Sequence, residues 1–155
     1  MSAPYNLDVG IQTLLVSAVP VNTNVYKSMH VPSDDIHKTP NGYVFWSYSE
    51  FTPALCSEGF AEENGNESIS FVVDVACVAH DNARRKALSG SVLDVLQPTV
   101  SGRRTFLKSY TVPSTGVFLQ YLRLESMEES GILRVGQSTP DQSILIMTFN
   151  GKATC

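Results

Sequence analysis

Few residues in this chain have the types and spacing that catalysis or metal binding requires. Cys77 and His80 would make a thiol nucleophile and its base if their side chains met. They lie three apart in "ISFVVDVACVAH", which reads as a strand, and on a strand that spacing sends them to opposite faces. Cys77 also sits among valines and alanines, the setting of a small inert hydrophobe. Cys56 has no histidine near it in sequence. His30 and His37 lie seven apart in a loop with Asp34 and Asp35 between them, a spacing that no zinc template favours. "NGKAT" at 150–154 has a Gly-Lys pair without a Gly-rich Walker pattern, so no phosphate cradle is expected. Glu125, Glu128 and Glu129 read as a solvated turn after a strand, not as the facing carboxylates of a glycosidase. The expectation is a chain with no catalytic residues, no cofactor and no metal. A small cytoplasmic hydrolase using Cys56 or His80 is the enzymatic alternative.

The cations are distributed less evenly. In "HDNARRKALSGSVLDVL" (80–96), Arg84, Arg85 and Lys86 occupy the first turn of an expected helix. The helix dipole disfavours each exposed cation there by about 0.3–1 kcal/mol. Arg103 and Arg104 form a second basic pair, so five of the 11 Lys and Arg residues fall within 84–104. The glutamates cluster elsewhere, at Glu58, Glu62, Glu63 and Glu67 and again at 125–129. Separated blocks of opposite charge suit head-to-tail contact between copies, the geometry that closes rings. These cations and the glutamates of 58–67 are therefore the candidate subunit or tube interface. The net charge of −4 argues against a general nucleic-acid-coating role.

The elements that would position these residues can be read from periodicity. Leu7, Ile11, Leu14, Leu15 and Ala18 follow helical spacing, with Asn6 as a cap and Pro20 beyond the end. A Pro- and Asp-rich loop covers 30–42. "YVFWSYSEF" (43–51) is an aromatic, β-branched strand, with Val44, Trp46 and Tyr48 on one face. In the strand over 69–80, Ile69, Phe71, Val73, Val75, Cys77 and Ala79 share one face. The acidic segment 58–68 joins these two strands as a long hairpin loop. The helix over 82–96 is capped by Asp81 or Asn82, carries the stripe Leu88, Val92, Val95 and Leu96, and is followed by Pro98. Further strands are expected over 105–112, 117–126 and 143–149. The order implies one domain, 1–155, of α+β class: a mainly antiparallel sheet with two helices packed on one face. The odd count of cysteines without framework spacing suits a reducing compartment. Nothing at the N-terminus reads as a signal peptide, and no run approaches the roughly 18 apolar residues of a membrane span.

In this order of elements the chain resembles the tail terminator (minor tail) proteins of long-tailed bacteriophages, the lambda-type family. The residues that carry the resemblance are an N-terminal helix, a Pro-containing loop entering "PNGYVFW" (40–46), and the strand "SFVVDVACVAHD" (70–81) running directly into "NARRKALSGSVLDVL" (82–96). The pattern is most specific over 40–96, and the acidic insert at 58–68 is longer than typical hairpin loops. The resemblance implies a ring, usually a hexamer, that caps the tail tube, stops its polymerisation and offers a surface to head-neck connector proteins. It implies that DNA passes through the ring without specific binding and that no residue is catalytic. It also implies a virion location at the neck, after assembly in the host cytoplasm. Another head-tail connector or neck completion protein is the alternative within that class.

Overall fold

The computed structural model describes residues 3–21, 23–27, 42–55, 67–133 and 142–154. Helix α1 spans Ala3–Ala18 and α2 spans Asn82–Leu96. The strands are β1 (Asn24–Tyr26), β2 (Tyr43–Leu55), β3 (Glu67–Ala79), β4 (Thr99–Val100), β5 (Arg103–Arg104), β6 (Leu107–Thr111), β7 (Phe118–Leu133) and β8 (Gln142–Thr154). Six of them form one sheet in the order β1-β2-β3-β8-β7-β6, and β4 pairs with β5 separately.

The fold is α+β. Its main sheet is mixed, because β1 runs parallel to β2 with Asn24 opposite Tyr43. The expected mainly antiparallel sheet therefore has one parallel edge pairing, which the sequence reading did not include. A three-residue strand has too little pattern to be read from sequence. The other pairings of the sheet are antiparallel.

Strand β3 lies inside the sheet and is hydrogen-bonded along its length, to β2 on one side and β8 on the other. Its alternation therefore decides which face is dry. Ile69, Phe71, Val73, Val75 and Cys77 are all buried, as the period of two requires. Both helices cover this face. Leu7, Ile11, Leu14 and Leu15 of α1 and Leu88, Val92 and Leu96 of α2 join the same core as Val44, Trp46, Leu122, Met147 and Phe149. Val95 is only partly buried, because the inward stripe of α2 follows the spacing 85, 88, 89, 92 and 96.

Local chemistry sets the ends of α2. Asp81 is extended and its Oδ1 accepts from the Arg84 backbone N–H at 2.7 Å, so the cap is Asp81 rather than Asn82. At the other end the Gln97 N–H bonds Leu93 O at 2.7 Å before Pro98 stops the chain. In α1 the helix has already begun at Ala3, so Asn6 is an interior residue and not its cap.

Two glycines are required by contact. Gly42 enters β2 with φ +93°, and a Cβ there would lie 2.2 Å from Val78 O. Gly151 sits opposite Phe71 across β3 and β8, and a Cβ would lie 2.4 Å from the ring. Strand β7 differs most from expectation. It continues to Leu133, so the glutamates of 125–129 belong to a strand and not to a turn. Their strand is held by backbone pairing to β8, such as Glu129 to Leu145, which composition does not reveal.

Gly151→Ala should lower stability by about 1–3 kcal/mol, because the Phe71 ring has to leave its place in a packed core. Urea unfolding would measure it, and an unchanged midpoint would remove this account of the glycine. Val73→Asp should prevent cooperative folding, since it places an unpaired charge in the core. A soluble variant with a sharp thermal transition would contradict that.

Candidate interaction surface

The residue in the first turn of α2 that faces the core is Arg85. It falls in phase with Leu88, Val92 and Leu96, so its stem enters the apolar stripe, and only 4% of the residue is exposed. Its Nη2 pairs with the Glu129 carboxylate of β7, and its Nε donates to Ser143 Oγ of β8 at 3.3 Å. Ser143 Oγ in turn donates to Asn82 Oδ1 at 2.6 Å. One buried guanidinium thus ties the start of α2 to the two strands beneath it. The pairing offsets both the adverse helix dipole and the desolvation of the charge. This corrects the reading of Arg85 as a cation held for a neighbouring chain, since its charge is satisfied within its own fold.

The other cations differ from Arg85. The Arg84 side chain lies 3.5 Å from the Asp81 carboxylate, and both groups are about half exposed. Lys86 is exposed. Arg104 reaches Asp94 Oδ1 at 3.0 Å and Gln97 O at 3.2 Å, so it neutralises the carboxylate and carbonyl at the favourable end of α2. Arg103 is exposed on the β4–β5 turn. The run 84–104 is therefore two groups at the two ends of α2, about 15 Å apart at the rise of a helix. It is not one patch. Glu58, Glu62 and Glu63 lie outside the described residues. Glu67 begins β3, where its backbone pairs with Leu55.

Two polar groups in the fold were not legible as site residues. Gln97 is 6% exposed, and its amide Nε2 donates to Leu122 O at 3.1 Å while its Oε1 accepts from Leu124 N at 3.4 Å. On α1, Gln12 accepts from Trp46 Nε1 at 2.8 Å and donates to Val25 O at 3.0 Å. Asp8 accepts from Tyr48 Oη at 2.8 Å and pairs with Lys27. The spacing of Asp8 and Gln12, four apart beside Leu7 and Ile11, was the available signal for a polar seam docking α1 on β2.

Among the described residues, those weighed for chemistry form no cluster that could hold a metal ion. Cys77 is fully buried, and its thiol is pushed up to about 12 by desolvation, with a smaller opposing pull from Arg85. His30, His37, Asp34, Asp35 and Cys56 lie outside the described residues. Among the described residues no helix is long and apolar enough to cross a membrane.

No family model matches the sequence, and no curated protein matches it. Among solved structures the chain is similar to one in the "Virion of native gene transfer agent (GTA) particle". The identity is 15% over 94% of this chain and 92% of that one, with a TM-score of 0.48. A likeness of that size is silent on function.

Arg85→Glu should destabilise the fold by roughly 3–5 kcal/mol, because it sets two carboxylates against each other in place of a buried ion pair. Arg84→Glu, at an exposed position, should stay within about 0.5 kcal/mol of the parent. Equal melting temperatures for the two variants would overturn the distinction. Native Cys77 should resist iodoacetamide at pH 8 and react on unfolding. Its raised pKa also gives a sign. The linked stability is present below the ordinary thiol value of 9.0 and is lost as pH rises through about 12, because only the unfolded thiol ionises in that window. Cys77→Val should flatten the alkaline limb of a stability profile, and an unchanged limb would remove the assignment.

Proposed function

We propose that this protein is a ring-forming tail terminator, a structural virion component that caps a phage tail tube. On this reading six copies form the ring, stop tube polymerisation and present a surface to a head-neck connector protein. DNA passes through the central opening without specific binding. The protein belongs to the neck end of the tail, is assembled in the host cytoplasm, and has no catalytic residue. One observation carries the reading. A strand hairpin, β2–β3, runs straight into a capped helix, α2, and that helix packs beside α1 on one face of the sheet. This is the order of elements on which the resemblance to the terminator family rests.

Arg84, Lys86 and Arg103 are the solvent-exposed cations of the basic run and are proposed to meet a neighbouring copy or the tube, with Glu58, Glu62, Glu63 and Glu67 as the proposed opposing charges. Arg84→Glu combined with Lys86→Glu should leave the melting temperature of the isolated chain near that of the parent and weaken assembly. Assembly of the parent should also weaken with salt, since exposed charges are screened over about 8 Å at physiological ionic strength. A double variant that assembles like the parent at low and high salt would exclude these cations from the interface.

The role itself is tested by adding the protein to polymerising tail tube subunits and viewing the tubes by electron microscopy. A terminator halts growth and stays at one end. Tubes of uncontrolled length with no added density would reject that role. Binding to heads without any effect on tube growth would favour a connector or neck completion protein.

A further inference from the structure

We infer that copies of this chain join by pairing the outer edge of β7 in one copy, residues 125–133, with the outer edge of β2 in the next, residues 49–55. This rests on the ring reading above and names the contact that would build the ring. Among the described residues, β6 covers β7 only from Phe118 to Leu122, and β1 covers β2 only from Tyr43 to Phe45. Beyond those points each strand continues with no described strand against its outer side. Strand β2 carries a register shift at Tyr48/Glu50 and Pro53, which has no N–H, and β7 carries shifts at Leu124/Ser126 and Ser130/Leu133. The regular part of each edge is therefore Glu50–Thr52 and Ser126–Ser130. Backbone N–H and C=O groups along such an edge are a template for another strand.

The groups where the cover of β6 ends show that the edge is able to pair. The Gln97 amide donates to Leu122 O and accepts from Leu124 N, as the peptide of a neighbouring strand would. The side chain ends there and the strand does not.

Direction favours a second copy as the occupant. Strands β2, β3, β8 and β7 alternate in sense, so β7 runs opposite to β2. A neighbour related by rotation about an axis to which the strands are inclined presents its β2 antiparallel to β7. Repeating that operation closes a ring with no edge left over. The two open stretches also lie at opposite ends of the sheet. The one on β7 runs toward Gln142, and the one on β2 runs toward Glu67. Neighbours must then be offset along the strands by roughly 20 Å at about 3.3 Å per residue. Closing a sheet on itself requires a stagger of this kind.

The faces agree with this offset. Glu128 aligns with Ile146, and Thr52 aligns through Ser70 with Lys152. Ile146 and Lys152 share one face of β8, so exposed Glu128 and exposed Thr52 lie on the same outer face. A shift from Ile146 to Lys152 sets Glu128 of one copy against Thr52 of the next. A shift two residues shorter would set it against Glu50, a like charge.

The test uses the full chain with Cys56→Ser and Cys155→Ser, leaving Cys77 in the core. Thr52→Cys with Glu128→Cys should give a ladder of covalent oligomers on mild oxidation, up to the number of chains in the ring, and neither single variant should do so. In parallel, hydrogen exchange of peptides covering 125–131 and 49–55 should slow at least tenfold on assembly. A ring of normal mass by light scattering, with no ladder and unchanged exchange at both edges, would overturn the edge pairing while leaving the ring intact. A ladder in a protein that does not cap tubes would keep the edge pairing and reject the terminator role. A parent protein of one-chain mass, both alone and on tube ends, would reject both.

Discussion

The structure depends on one contact layer, the inner face of β3 against the two helices. Phe71, Val73 and Val75 are each about 1% exposed, and they meet Leu14 and Leu15 from α1 and Leu88, Val92 and Leu96 from α2. Burying each such side chain is worth about 1.5–3 kcal/mol relative to leaving it in water. Since β3 is bonded to a strand on both sides, a slip of one residue would turn this set to the opposite face and expose the core. The register of β2 and β8 is therefore fixed by what the helices must cover. Gly151 follows from the same constraint, because the β8 residue opposite Phe71 has to leave room for its ring.

The Arg85 network is subordinate to that layer and refines it. Apolar packing of α2 is non-directional, so it specifies the buried face better than the position of the helix along its own axis. A guanidinium bonded to Glu129 and Ser143 supplies a point constraint at the first turn. Asp81 adds a second one by capping the Arg84 N–H. These contacts cross 44 and 58 residues of sequence. Their value is in fixing position, since a buried pair gains little net stability once desolvation is counted.

Sequence legibility follows the range of each interaction. The periodicity of β3, the stripe of α2 and the Asp81 cap are local, and each was readable. Strand β7 was cut short because Glu125, Glu128 and Glu129 look like a turn, and only backbone pairing to β8 makes them a strand. Arg85 was misread for a related reason. Its helical phase with Leu88 and Val92 was in the sequence and pointed inward, but the habit of treating arginine as exposed won over the phase. Arg103 and Arg104 were grouped with it by proximity along the chain, although α2 separates the two sets in space. Gln97 had no readable signal, because its partners at Leu122 and Leu124 come from a strand 25 and 27 residues further on.

The two halves of β7 are protected in different ways, and the difference bears on how an isolated copy stays in solution. Up to Leu122 the edge is closed by β6, and at Leu122 and Leu124 by the Gln97 amide. Past that point the described side chains are Glu125, Ser126, Met127, Glu128 and Glu129, all exposed and three of them charged. Charge is a weaker guard than a covering strand. It repels a random apolar edge but yields to a partner whose opposing residues are small or neutral. The same edge carries register shifts at Leu124/Ser126 and Ser130/Leu133, which add local twist and leave only a short regular stretch between them. An edge guarded by charge and by short irregularities can remain single when the protein is dilute and still pair over its regular stretch when a matching edge arrives in register. Glu129 spends part of its charge inside the fold on Arg85, which leaves Glu125 and Glu128 to set how selective that edge is.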